Sequence, residues 1–578
     1  MAEILLSPGV FALENDATQI TQGPVEAGAA LVGPTVLGPV NTPTPITSYS
    51  QYKALFGSTF VSGGLTYEYL TSIAANNYFN QGGTSLLVTR VASGSYTSAT
   101  ASVGSIGGAT AFTLETLAVG AVMNNVGSAT NGALVSGSAS NVRWEVVSSD
   151  TGSGLFSIVI RRGDDYQNSK TVLESWSNLS LDPNQNNYIA YVIGDQTQTP
   201  VQDPTTGNYY MQTTGSYKNM SNYVRVKSVN LNTPDYLNSA GQAQNQYTSS
   251  IPTLGSGSLN GAFGGATGFL FGSTGIAPLN MYTSIPTTTV GNIQGVNSSD
   301  YNVALSLLAN KDEYLFNVIY APGLTSQNSP SQINSMLTLA QNRGDSIAVV
   351  DLVGYGQNIG TVTATATSYD NSYGAAYWPW LQIKSPETGR LNFVPASTLI
   401  PAVYEYNDKI SAEWFAPAGF TRGGISTVIQ PERKLSVDDR NTLYSSKVNP
   451  IAVFPSVGTV VYGQKTLQQK ASALDRVNVR RLLIALKSYI TQVANNLVFD
   501  PNTQVTRNKF LNTVNPYLAS VQQRQGLYAF NVVMDETNNT PDVIDRNELV
   551  GAIYLQPTRT AEFIYLTFNL TPTGVSFA

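Results

Sequence analysis

At 578 residues the chain is too long for one ordinary hydrophobic core, and roughly two to four domains are expected. It contains no histidine and no cysteine, which excludes Ser-His-Asp and Cys-His catalysis, His-based proton transfer, nearly all zinc and haem ligation, disulfides and iron–sulfur clusters. The net charge is -6 and only 11% of residues are charged, well below the roughly 25% usual in soluble proteins, so no basic field invites nucleic acid.

Polarity is supplied instead by Ser, Thr, Asn, Gln and Gly. A surface of neutral polar groups repels its own copies weakly, which suits dense self-packing; a secreted β-rich protein would share the bias. Met1 to Leu13 carries Glu3 and no Lys or Arg, so no export signal is expected there. No stretch approaches about 18 unbroken apolar residues, so no membrane insertion is expected either.

Residues 1–20 read as an extended arm, with Ile4, Leu5 and Leu6, the turn Ser7-Pro8-Gly9, then Val10 and Phe11. Residues 21–95 read as α/β. Ala29–Val32 is a strand closed by Gly33-Pro34, Ser50–Phe56 a helix stopped by Gly57, Leu65–Asn80 a helix with Leu65, Tyr69 and Ile73 on one face, and Ser85–Val91 a buried strand. From 96 to 300 Gly, Ser, Thr and Asn dominate and helical periods fade. Two alternating strands stand out, one with Val142, Trp144 and Val146 on a face, the other with Phe156, Ile158 and Ile160. This span reads as one or two all-β insertions facing solvent, with Trp144, Tyr209, Tyr210, Phe269 and Phe271 arguing for packed cores.

Residues 301–454 return to α/β. Val303–Leu308 and Ile333–Asn342 are helical, while Leu315–Tyr320 and Ser346–Val353 are strands, a strand–helix–strand order that predicts a parallel sheet. Residues 455–578 read as an α+β domain. Its main helix spans Ser472–Val498, and a second runs from Thr503 towards Gln525 with Pro516 marking a kink or a fresh start. Strands follow at Leu527–Met534, Leu549–Leu555 and Glu562–Leu570, the last alternating Phe563, Tyr565 and Thr567 against Ile564, Leu566 and Phe568.

Few residues offer chemistry. Gly354-Tyr355-Gly356 to Gly360-Thr361 follows a strand but lacks the Gly-Lys-Ser/Thr ending of a phosphate loop. Asp164-Asp165 and Asp438-Asp439 lack the alternating donors of a calcium loop. Glu68 and Glu562 are lone acids on apolar segments, best read as structurally paired. On the main helix Val479, Leu482, Leu483, Leu486, Tyr489, Ile490, Val493 and Leu497 share one arc at about 100° per residue. Arg476, Arg480 and Lys487 edge that arc, and Arg507 and Lys509 open the next helix against its dipole. These cations are either solvated or internally salt-bridged, or they form a basic ridge aimed at an acidic partner. The two chain ends either pair within the molecule or are donated to a neighbour.

The order of short motifs resembles the contractile phage tail sheath family. Ser7-Pro8-Gly9-Val10-Phe11 with Glu14 is similar to the family's N-terminal arm. Gly38-Pro39-Val40-Asn41-Thr42-Pro43 to Phe56-Gly57, and Tyr78-Phe79-Asn80-Gln81-Gly82-Gly83 with Val88-Thr89-Arg90-Val91, resemble the segments that follow. Trp378-Pro379-Trp380, Trp414 with Ala416-Pro417-Ala418-Gly419, Asn449-Pro450-Ile451, Val479-Arg480-Arg481-Leu482 to Phe499-Asp500-Pro501-Asn502, and Ala561-Glu562-Phe563-Ile564 continue the match. Residues 96–300 match no family motif, and Val394-Pro395-Ala396-Ser397 departs from the expected Pro-Pro-Ser-Gly.

The resemblance implies a multidomain α/β plus β fold: a subtilisin-like α/β core without its catalytic triad (21–95 with 301–454), outward all-β insertions (96–300), a C-terminal inner domain (455–578) and extended terminal arms. It implies no enzyme activity and no cofactor. The implied partners are copies of the chain in stacked hexameric rings, a tail tube protein, and baseplate and tail terminator proteins. The location implied is a virion tail assembled in the host cytoplasm. On that reading Arg480, Lys487, Arg507 and Lys509 face the tube, and Ile4, Leu6, Val10, Phe11, Phe563, Tyr565 and Phe568 lie in strands exchanged between subunits. A surface-layer or adhesion protein would share the low-charge insertions, and a carboxylate-based hydrolase is the enzyme class that survives the missing residues.

Overall fold

The computed structural model describes residues 28–62, 65–92, 98–119, 142–259 and 296–562. At its centre is an eight-stranded sheet. The strands run in the order Thr44–Ile46, Leu86–Arg90, Ala29–Gly33, Val318–Thr325, Ile347–Asp351, Gly374–Trp378, Val448–Phe454 and Gly458–Val461. The six inner strands are parallel and the two outermost pair antiparallel.

Continuous apolar runs build such a sheet because both of its faces are covered. Ala30, Val32, Ile319, Ala348, Val350 and Trp378 point to one face, where helices Tyr301–Leu308 and Pro330–Arg343 pack. Ala29, Leu31, Val318, Tyr320, Val349 and Tyr377 point to the other, under helices Tyr49–Phe56, Leu70–Asn80 and Ile400–Ile410. The helix ends follow local chemistry. Ser48 caps Tyr49–Phe56 by accepting from the Gln51 amide, and Gly344, at φ 73, takes the left-handed turn that ends Pro330–Arg343.

Three expectations need correction. Leu65–Asn80 is not one helix: Leu65–Glu68 is a strand paired with Thr59–Ser62, and the helix begins at Leu70. Leu65, Tyr69 and Ile73 satisfy the helical spacing, but Thr66 and Tyr67 favour an extended chain. The central sheet does not stop at 454, since Gly458–Val461 forms its edge. Pro516 does not restart its helix, which is continuous over Gln504–Gln523. The buried stripe Phe510, Val514, Leu518 and Val521 holds that helix across the proline.

Residues 98–119 and 142–259 form a β insertion with one core between two sheets. A three-stranded sheet (Val224–Val229, Thr110–Val119, Ser98–Gly104) faces a four-stranded one (Val172–Leu179, Leu155–Arg162, Val142–Asp150, Gly255–Ser258). Phe112 and Phe156 stack across the gap at 5.8 Å, among Trp144, Val146, Ile158 and Ile160. Buried Arg90 ties the insertion to the core by donating to the carbonyls of Gly38 and Val119. Phe269 and Phe271 lie outside the described residues.

Candidate functional site

The C-terminal domain consists of the long helix Val477–Asn495, the helix Gln504–Gln523 and a two-stranded antiparallel ribbon, Leu527–Val533 with Ala552–Pro557. Its apolar cluster (Leu482, Leu486, Phe510, Val514, Leu518) also takes in Ala412 and Trp414 from the core domain. Trp414 donates its indole N–H to the Arg524 carbonyl at 3.0 Å, Arg524 lies over its ring at 4.8 Å, and Asn478 donates to its carbonyl at 3.3 Å. Beside it Arg481 forks onto both oxygens of Asp408, one contact at 2.9 Å, and rests 4.6 Å over Tyr404. Burial alone would lower the pKa of this guanidinium; Asp408 overcomes that and raises it. The long helix thus starts clamped to the sheet, through Val477 and Ile484, and ends in the C-terminal cluster.

That clamp divides the basic positions. Arg480 is 3% exposed; its Nε donates to the Ser372 carbonyl at 3.1 Å and its guanidinium stacks 3.9 Å over Tyr373. Arg507 is also buried and donates to Asn502 and Gln504. Lys487 and Lys509 are exposed, with Nζ at 3.3 Å from the Tyr373 hydroxyl and from Asp500 respectively. The expectation of a four-membered basic face is therefore corrected to two exposed lysines. The helical wheel of one segment carries no record of Tyr373 and Ser372, which arrive from another domain.

Arg476 is not on the helix but caps it, forking onto Glu562 at 2.7 and 3.0 Å. Gln464 donates to Glu562 as well, at 3.1 Å. The structural pairing expected for Glu562 is present, and it pins the chain immediately before residue 563. Glu68 is buried and, among the described residues, meets no cation; Ser72 and Ser385 donate to it, and burial pushes its carboxyl up to about 7. The strand residues Ile4, Leu6, Val10, Phe11, Phe563, Tyr565 and Phe568 lie outside the described residues.

The other acidic and glycine-rich motifs prove structural. Asn358 caps helix Ile359–Thr367 at the end of the glycine-containing loop. Asp439 and Ser436 form a capping box, and Asp165 holds buried Arg161. Sequence reading missed a groove of about 1020 Å³ between the core and the C-terminal ribbon, where Phe415, Arg422, Arg440, Tyr444, Tyr528 and Arg559 converge. Its residues come from separated segments, so no local pattern announces it.

Comparison with known proteins places this architecture. The phage tail sheath protein central domain matches residues 294–467, and the phage tail sheath C-terminal domain matches residues 469–571. Over these residues the chain matches the phage tail sheath family. The domain junction at 467–469 agrees with a sheet that runs past 454. The tail sheath protein of Vibrio phage KVP40 is 42% identical over 189 residues, 33% of this chain and 28% of that protein. The tail sheath protein of Enterobacteria phage T4 is 34% identical over 223 residues, 39% of this chain and 33% of that one. The matched part thus spans a third or less of each of these two sheath relatives. A crystal structure of the sheath tail protein from Listeria innocua shares the fold at a TM-score of 0.50, with 11% identity over 92% of this chain and 95% of that one.

Proposed function

We propose that the chain is the structural subunit of a contractile tail sheath, assembling as stacked hexameric rings around a tail tube in the virion and working without catalysis or cofactor. The observation that carries this is the pair of adjoining sheath-domain matches, 294–467 and 469–571, on one continuous fold. The C-terminal ribbon supports assembly by strand exchange. Among the described residues it has only two strands, and such a ribbon is marginal alone and offers free edges for pairing. The arms, 1–20 and 562–578, supply the strands that complete a neighbour's ribbon. Lys487 and Lys509 are the exposed cations that meet an acidic tube surface. Contraction drives the tube through the host envelope, with energy stored in the assembly and no nucleotide consumed; baseplate and terminator proteins bound the sheath at its ends.

Negative-stain microscopy of the purified protein tests this. Hollow, striated cylinders are expected, and dispersed monomers under all salt and temperature conditions would overturn the reading.

A further inference from the structure

The motif Phe499-Asp500-Pro501-Asn502, at the turn between the two C-terminal helices, presents a side chain that the fold does not use. Phe499 is fully exposed and takes no part in the domain's apolar cluster. Val498 and Val505, close to it in sequence, are more than half exposed. The backbone of Phe499 stands at φ 74, the left-handed region that suits glycine or asparagine and strains a bulky apolar residue. Nor is the turn loose. Asn502 donates to the Glu548 carbonyl at 2.8 Å and to Asn539 at 3.0 Å, and Thr506 donates to the Pro501 carbonyl at 2.8 Å. A pinned, strained turn thus holds an aromatic ring in solvent, which folding alone does not explain.

The direction in which this ring is presented follows from the parallel sheet. The insertion is rooted at the carboxyl ends of the strands. The chain leaves for it after Arg90, the last residue of Leu86–Arg90, and returns by Ser298, whose hydroxyl is 2.6 Å from that of Ser329, just past Val318–Thr325. The long helix is fixed at the opposite, amino ends. Arg480 holds Ser372 and Tyr373, immediately ahead of Gly374–Trp378. Lys311, Gly344 and Asp345, ahead of the two neighbouring strands, face Ser488, Thr491 and Asn495 across a groove. From its start the helix carries the chain about 28 Å, at about 1.5 Å per residue, to the turn that bears Phe499. Insertion and turn therefore lie towards opposite ends of the sheet, and in a sheath whose insertions face solvent the turn faces the tube.

We propose that Phe499 is the apolar anchor of the contact between this subunit and the tail tube, seated in a tube pocket that is apolar at its base and acidic at its rim. This deepens the sheath role proposed above and rests on it. Lys509 supplies the charge at the edge: it is exposed, and its Nζ is 3.3 Å from Asp500, the residue next to Phe499. A buried aromatic centre with charges at the rim is how interface hot spots are built. A ring already fixed by its turn also loses little freedom on docking.

Sheathing of tubes preassembled from the tail tube protein of the same particle, read by negative-stain microscopy, tests this. Phe499→Ser should keep the wild-type unfolding midpoint, while the subunit concentration that sheathes half of the tubes rises about tenfold or more. Phe499→Tyr should sheathe nearly as wild type does. Phe499→Asn, suited to the left-handed turn, serves if the serine variant fails to fold. Equal sheathing by wild type and Phe499→Ser would overturn the anchor and leave the sheath role standing. A wild-type chain that forms no cylinders, with or without tubes, would overturn the sheath role itself and the anchor with it. Cylinders that Phe499→Ser loses even without tubes would assign the ring to a neighbouring copy, and that too would overturn the proposal.

Discussion

Three carboxyls lie deep in the core, and burial pushes each of them up: Glu68 and Glu405 to about 7, Asp351 to about 6. Serines offset part of this at Glu68 and Asp351, where Ser385 and Ser397 donate to the carboxylate. A carboxyl whose pKa is higher in the folded chain binds its proton more tightly there. Its contribution is complete below the ordinary carboxylate range and is lost as pH rises through the folded value. Stability should therefore fall between about pH 5 and pH 8, with Glu405→Gln flattening the slope; urea midpoints across that range check this. Asp408 is the partner of a buried cation, Arg481. Asp408→Ala strands Arg481 and should cost about 3 kcal/mol in the same assay, and adding Arg481→Met should recover part of it.

Among the elements, those with a single dominant signal were legible from sequence. Pro330–Arg343, ended by Gly344, and the fully buried strands Leu86–Arg90 and Ile347–Asp351 fall within a few residues of expectation. Failures came where one spacing served two structures, as at Leu65–Glu68, or where packing overrode a local signal, as at Pro516. That proline is exposed and lacks the N–H that would bond the Asn512 carbonyl. Pro516→Ala should restore the bond and raise C-terminal domain stability by about 1 kcal/mol or more, seen as a higher unfolding midpoint. The basic positions failed for a related reason. Arg480 sits at the edge of an apolar arc, where periodicity cannot separate solvent from a second domain, and Tyr373 covers it. The pairing of Glu562 was legible as a lone acid among apolar residues, but its partner Arg476, distant in sequence, was not.

At the scale of the molecule, assembly and folding should separate. Lys487→Glu with Lys509→Glu changes two exposed side chains, so the monomer should keep its unfolding midpoint within about 0.5 kcal/mol while losing sheath–tube assembly in microscopy. Deleting 1–20 or 563–578 should leave a folded monomer that forms no cylinders; ordinary cylinders from either deletion would rule out strand exchange through that arm. The mixed α/β character, with a parallel sheet and smaller antiparallel ones, was legible from the alternation of element types along the chain. The groove beside the ribbon was not, because its walls meet only after the domains dock.

The pairing of Ala29–Gly33 with Val318–Thr325 has a consequence in time. Ala29 and Val318 are neighbours in the sheet but roughly 290 residues apart along the chain, so the core must close a very long loop before its central strands meet. The insertion lies inside that loop; it contains hairpins close in sequence, such as Val142–Asp150 with Leu155–Arg162, together with longer closures such as Thr110–Val119 with Val224–Val229. An insertion that forms first would draw the two halves of the core together and shorten the search. A chain whose insertion is destabilised should then refold its core more slowly, even where the finished core is equally stable.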